Sequence, residues 1–451
     1  MLALADLMSR GSLAEETALG RAESDHSLTP RTPAFPTKAK NIIWLFMHGG
    51  PSQVDTFDEK PMLAKFDGQP PPVEFHKLNL QFTDVRKQKL MASRLKFRRH
   101  GESGIAMSEG FSRLGQHADD IAILRGVHHE VFNHTPGIFL MNTGEARMGR
   151  PSLGSWLTYG LGCETNNLPA FVVMNDGPLK PGPGVWGNGF LPAVYQGTNI
   201  KQSAAPIDNL RPQAELACID QRSTLDLAQW LSERHRSFRP GDTDLEARIA
   251  SYELAFRMQS AAPEAVDLAH ESKATRDLYG GGFGERCLAA RRLVERGVRM
   301  VQIYHGCGGG GWDTHGDNHN RHVELIRSVD QGCAALLSDL KARGLLEETL
   351  VIWGGEFGRT PTTEGNNGRD HSPYGFSMWM AGGGVKGGQA IGSTDDFGFR
   401  AVEDKVHTHD LHATILKLMG LDPEQLTWRF GGLDQRLIGV EPAHDVYDRL
   451  T

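Results

Sequence analysis

Residues Asn41 to Ser52 read NIIWLFMHGGPS. The run NIIWLFM (Asn41 to Met47) is continuously apolar after its first residue, as expected of a strand covered on both faces in a parallel sheet. HGGPS follows at once. It predicts a glycine-rich turn at the strand's C-terminal end, the edge where open α/β sheets bind their ligands.

Working outward, further short apolar runs predict strands at IAILR (121–125), AFVVM (170–174), VRMVQIY (298–304), LVIWG (350–354) and FSMWMA (376–381). Helical spacing marks 245–259, 321–344 and 409–420, the last stopping at Gly420. In the middle one, Val323, Ile326, Ala334, Leu337 and Leu340 fall on or near one stripe. Strands alternating with helices predict a three-layer αβα sandwich around a mainly parallel central sheet. Residues 1–38 read as an extended N-terminal arm, a remnant of an export signal being one reading of its first residues. The main domain spans 39–451, with a Gly-, Pro- and Asn-rich insertion near 175–240 that carries a helix near 223–236.

The 451 residues carry a net charge of -7, which gives no general attraction to nucleic acid. No apolar run approaches the roughly 20 residues needed to span a bilayer. Five cysteines without a C-x-x-C pair argue against a disulfide framework or a cysteine zinc site; Cys287 and Cys333 read as core residues. GPGVWG (182–187) fits a dinucleotide motif by letters alone, for no strand leads directly into it and its prolines spoil the helix start. HEVFNH (129–134) is one residue too long for a zinc-protease motif, since its outer histidines would lie about 140° apart on a helix.

Histidine is more informative. There are 19, many beside aspartate and glycine. In GGGGWDTHGDNHNRH (308–322), after the strand at 298–304, Asp313, His315, Asp317 and His319 crowd behind glycines that permit a tight turn. Imidazole mixed with carboxylate suits zinc, manganese or iron better than a pure calcium cage; the alternative is a polar loop with capping aspartates. LVIWGGEFGRT (350–360) delivers Glu356 as a ligand and Arg359 as an oxyanion grip, or the two as an ion pair. GRDHSPYG (368–375) offers Asp370 and His371, ligands or a polar turn. HGGPSQVDTFD (48–58) offers His48 and Asp55 as ligands, with helix capping the alternative for its aspartates. In NHTPGIFLMNTG (133–144), His134 and Thr135 precede a proline suited to a first helical turn, where an anion is favoured and where Thr135 can simply cap. VHTHDLHATIL (406–416) adds His407, His409 and His412, with Asp410 a good cap.

Taken in order, these segments resemble the alkaline-phosphatase/sulfatase superfamily. NIIWLFMHG is similar to its first strand, with His48 where a metal-binding acid usually stands. NHTPGIFLMNTG resembles the sulfatase nucleophile helix, with His134 in the nucleophile's slot, and Glu356-Phe357 stands at the superfamily's Asp-His metal pair. RDHSPYG is similar to the last ligand segment, which implies His371 as a ligand. More narrowly, HGGPSQVDTFDEKP, WDTHGDNH, GGEFGRTP and THDLHATILKLMGLD resemble domain of unknown function family 1501, over about 36–440. That resemblance implies an exported protein with an alkaline-phosphatase-like fold.

It also implies a metal-dependent hydrolase of phosphate or sulfate esters, acting on a small anionic ester or a sulfated or phosphorylated glycan. The cofactor expected is a divalent metal, zinc first, with manganese or calcium as alternatives. The departures at His48 and Phe357 make one metal, held by residues such as Asp313, His315, His319 and His371, easier to defend than two. Without a Cys or Ser to convert to formylglycine, ordinary sulfatase activity is disfavoured. His134 or Thr135 would take the attacking position, and Arg359 would hold the anion. The rival expectation is a scaffold that has lost catalysis and binds a ligand, glycan or protein.

Overall fold

The computed structural model describes residues 28–80, 82–201, 207, 221–238, 243–309 and 311–451. Of the N-terminal arm, residues 1–27 lie outside the described residues, as do 202–206, 208–220 and 239–240 of the insertion. Residues 28–40 run without helix or strand, and their backbone bonds to Leu161 and Gly420 before entering the sheet.

The first strand, β1 (Asn41–Met47), is buried along its whole length. Its side chains alternate between two cores. Ile42, Trp44 and Phe46 join one cluster, and Ile43, Leu45 and Met47 the other. Period-two geometry with apolar residues at both phases requires cover on both faces. Each of these side chains contributes on the order of 1.5–3 kcal/mol by leaving water.

Eight further strands complete the sheet: β2 (Ile121–His128), β3 (Phe171–Asn175), β4 (Thr198–Asn199), β5 (Met300–His305), β6 (Thr349–Gly354), β7 (Phe376–Ala381), β8 (Gln389–Ile391) and β9 (Val406–His407). The order is β8-β2-β7-β6-β1-β5-β3-β4, with β9 also on β2. β1 pairs in parallel with β5 and β6, and β3 in parallel with β5 and β4. Only β7 runs against its neighbours, β2 and β6. The sheet is therefore mainly parallel, as the sequence predicts.

Helices α1 (His134–Thr143) and α2 (Leu153–Leu161) pack on one face. In chain order follow α3 (Gln221–Phe238), α4 (Thr243–Val266), α5 (Phe283–Glu295), α6 (Asn318–Ala342) and α7 (Thr408–Leu418). Residues of α4, α5 and α6 enter the core of the opposite face, and α7 returns to the face of α1 and α2. In α6, Ile326, Val329, Cys333, Leu336, Leu337 and Leu340 recur at helical spacing and are all buried.

GPGVWG holds a 3-10 turn over Gly182–Trp186 and opens no helix of a dinucleotide site. His129 lies before α1 and His134 begins it, so the two share no helix face. Cys287 and Cys333 are buried, and the described cysteines Cys163, Cys287, Cys307 and Cys333 are free thiols. No helix among the described residues is long and apolar enough to cross a membrane.

Candidate metal centre

Parallel strands aim their following loops at one edge. The turn after β1 carries His48, the loop after β5 carries Asp313 and His315, and the turn after β6 carries Glu356. His134 opens α1 after β2, and His371 sits in a two-residue pairing with Arg359. The turn is compact because Gly49 takes φ +110°, and a Cβ there would stand 2.4 Å from the Asp313 nitrogen. Gly368 is needed for a similar reason, since a Cβ on it would collide with the His315 carbonyl.

Asp313 Oδ1 is the point of convergence. His315 Nε2 lies 2.9 Å away, His371 Nε2 3.1 Å and His134 Nε2 3.1 Å. His315 and His371 also face each other, Nε2 to Nε2, at 3.0 Å. Behind each ring an acceptor holds the other nitrogen. His134 Nδ1 donates to Glu356 Oε1 at 2.6 Å, His371 Nδ1 to the Phe132 carbonyl at 2.7 Å, and His315 Nδ1 to Glu364. These acceptors fix the ring protons on Nδ1, so neutral rings leave three Nε2 lone pairs around one carboxylate oxygen. His134 Nε2 is buried and off the line of a hydrogen bond to Asp313 despite its proximity.

A lone-pair cluster of this kind requires positive charge. Burial alone would raise the Asp313 carboxyl, yet His134, His315, His371 and Arg359 hold it far below the ordinary carboxylate range. Burial opposes charge on His134, but Asp313 and Glu356 raise its proton affinity above the usual value. Asp313 does the same for His315. His371 is pushed down to about 4 by burial, with the Arg359 guanidinium adding to the effect. Three imidazole nitrogens and one carboxylate oxygen, all within 4.8 Å of one another, match the donor set of zinc, or of manganese or iron.

Arg359 is fully buried, and its cation is committed locally. Nη2 bonds Asp313 Oδ1 at 2.6 Å and the Gly49 carbonyl, while Nε donates to the Gly50 carbonyl at 3.0 Å. It therefore holds the β1 turn against Asp313. Glu356 is fully buried; its carboxylate accepts from Gly49 N at 2.9 Å and from His134. Burial would raise Glu356, but His134 and His48 keep it below its ordinary value. The His48 ring stacks 6.0 Å from that of His134, and both its nitrogens are buried without a hydrogen-bond partner.

Other candidates lie outside this group of four, although Asp370 stands with His315 and Glu364 in a second set of donors within 4.8 Å of one another. Asp55 is buried against Arg369 at 2.8 Å and accepts from Ser52 and Asn318. Asp317 is exposed, precedes α6 at φ 49° with no side-chain bond to the helix's backbone, and accepts from Asn320. His319, in the first turn of α6, shares a small cavity with Asp55, Arg94 and Asp317. Asp370 is fully buried; its Oδ1 accepts from His371 N and its Oδ2 from Phe82 N, Thr83 N and Thr83 Oγ1. Thr135 is exposed on the first turn of α1. His412 is buried on the Met141 carbonyl, His409 binds the Gly144 carbonyl, and His407 caps α7.

Sequence reasoning missed Glu364 and the Phe132 carbonyl, which orient His315 and His371. Glu364 stands in no motif, and Phe132 stands only in the HEVFNH run that helix geometry sets aside. Glu364 lies 49 residues from its partner and Phe132 239 residues from its own.

No curated protein matches the chain. Solved structures to which it is similar include the PsFucS1 sulfatase from Pseudoalteromonas sp., at 11% identity and TM-score 0.37 over 92% of this chain and 73% of that one. Alkaline phosphatase from the Antarctic bacterium TAB5 is similar at 10% identity and TM-score 0.37, over 87% and 100%. The phosphonate monoester hydrolase SpPMH from Silicibacter pomeroyi is similar at 10% identity and TM-score 0.34, over 84% and 73%. The model of the family described as "Protein of unknown function (DUF1501)" matches residues 39–450, and this chain belongs to that family.

Proposed function

We propose that this protein is a divalent-metal-dependent hydrolase of phosphate or sulfate esters, with His134, Asp313, His315 and His371 holding one cation. Zinc is the first choice, with manganese or calcium as alternatives. One observation carries the reading: three imidazoles, each backed by its own acceptor, bring Nε2 to within 3.1 Å of a single carboxylate oxygen. A bound cation at such a position supplies a Lewis acid that polarises an ester's oxygens.

The remaining chemistry belongs to the chain. Glu356 keeps a proton on His134 Nδ1, and Glu364 keeps one on His315 Nδ1. Arg359 positions Asp313 against the β1 turn. Thr135 follows His134 at the dipole-positive start of α1 and is exposed; in this reading its hydroxyl would attack the phosphorus or sulfur and lose its proton to water, as the bond to the ester's alcohol breaks and that alcohol leaves. The substrate class is a small anionic ester or a sulfated or phosphorylated glycan. The family resemblance supports export from the cytoplasm, which fractionation of the producing cell would test.

Elemental analysis of the purified protein, followed by a panel of aryl phosphates, phosphodiesters and aryl sulfates with added divalent metal, tests the proposal. About one metal per chain is expected, with turnover that falls in Asp313→Ala and Thr135→Ala. A metal-free protein that is silent across the panel overturns it. The Arg359–Asp313 bond favours a second reading, a binding scaffold, because a guanidinium already partly neutralises the carboxylate a cation would need. No tightly bound metal, together with no thermal shift on metal addition, would support that second reading.

A further inference from the structure

Phe82 stands at the rim of the cation cluster with 60% of its surface exposed. Its ring meets His315 edge-on at 5.1 Å and 81°, and His371 at 5.6 Å and 70°. Phe82 belongs to a segment fixed from below. The buried Asp370 carboxylate takes hydrogen bonds from Phe82 N at 3.0 Å, Thr83 N at 2.9 Å and Thr83 Oγ1 at 2.8 Å. Tyr374 Oη donates to the Asn79 carbonyl at 2.8 Å. Asp370 and Tyr374 flank His371 in the chain, so one short segment positions both a candidate ligand and an aromatic wall.

A large aromatic side chain left mostly in water forfeits much of the free energy its burial would contribute. A buried carboxylate committed to holding it there adds a second cost, since burial of charge is unfavourable unless well bonded. Covering the imidazoles does not account for the arrangement, because most of the ring faces solvent. An ester whose anionic head reached the cluster would carry its organic group across this ring.

We propose that Phe82 is the wall against which the esterified group lies, and that the site prefers esters of ring-bearing groups, aryl or pyranosyl, over small acyclic ones. The apolar face common to both ring types is what an aromatic side chain recognises. This inference rests on the cation reading above and deepens it by naming the substrate class.

Calorimetric binding to the metal-loaded full chain tests it. The ligands are phenylphosphonate against methylphosphonate, glucose 1-phosphate against glycerol 1-phosphate, and phenyl sulfate against methyl sulfate. The ring-bearing member of at least one pair should bind about 3- to 10-fold tighter, and the preference should vanish in Phe82→Ala and survive in Phe82→Trp. Which pair discriminates separates an aryl from a pyranosyl substrate. Metal affinity, measured separately, should be the same in all three proteins. Equal binding within every pair, or a preference that persists in Phe82→Ala, overturns the proposal while leaving the cation reading intact. A protein that binds no metal overturns both.

Discussion

His315 and His371 face each other at 3.0 Å, Nε2 to Nε2, while Glu364 and the Phe132 carbonyl hold their far nitrogens. Two neutral rings so held would point lone pairs at each other, an arrangement that only a proton or a cation between them relieves. Asp313 Oδ1, within 3.1 Å of both, adds negative charge at the same spot.

Removing Glu364 should weaken metal binding without deleting a ligand. Glu364→Gln frees the His315 ring to turn and lowers its basicity, so divalent-metal affinity should fall about 10- to 100-fold. Competition with a metal-sensitive dye measures it. Unchanged affinity would mean that Glu364 is only a surface partner.

Metal should stabilise the fold. At a free concentration one hundred times its dissociation constant, a cation bound only by the native state adds about 2.7 kcal/mol. Thermal denaturation with and without added zinc reads this directly. His371→Ala should lose the increment while its metal-free stability changes far less than its holo stability.

Asp55 should prove structural. It is buried against Arg369, so Arg369→Ala leaves an uncompensated carboxylate and should cost about 3–5 kcal/mol. Asp55→Asn should lower stability yet retain one metal per chain, as seen by urea titration beside elemental analysis. Loss of metal from a folded Asp55→Asn protein would return this residue to the ligand set.

Acid should destabilise the protein well above the range where carboxylates titrate. Burial lowers His129 and His322 to about 4 and His412 to about 3, from an ordinary 6.5. Between pH 6.5 and 4 the unfolded chain therefore binds more protons than the native one. The contribution is complete above pH 6.5 and is lost as pH falls toward 4, on the order of 3 kcal/mol for each histidine lowered to about 4. Urea midpoints of the metal-free protein at pH 7.5 and pH 5 check the sign; equal midpoints would refute it.

The fold was legible because its signals are local. NIIWLFM is apolar at both phases of a strand, and it lies at the sheet's centre with alternate residues in two cores. The stripe running from Val323 to Leu340 is helical in the same way, and it lies within α6. Part of the candidate site was legible too, since Asp313, His315 and His371 lie in loops that a mainly parallel sheet gathers to one edge, whereas His134, read from the sequence as the attacking group, joins them as a donor.

Composition could not sort the acids and imidazoles within each cluster. Asp313 and Asp317 lie four residues apart, yet one is the hub of three histidines and the other an exposed residue in a left-handed conformation just before α6. Arg359 suggests an anion grip by its position, but its guanidinium is committed to backbone carbonyls of the β1 turn. Periodicity and burial of β1 and α6 are written in neighbouring residues, so the sequence alone determined the layers of the sandwich. Which side chains share one pocket depends on loop dihedrals and on hydrogen bonds closed across hundreds of residues, such as Glu364 to His315 and Phe132 to His371. Only the tertiary structure decided those, because a side chain's direction is set by the partner that satisfies it.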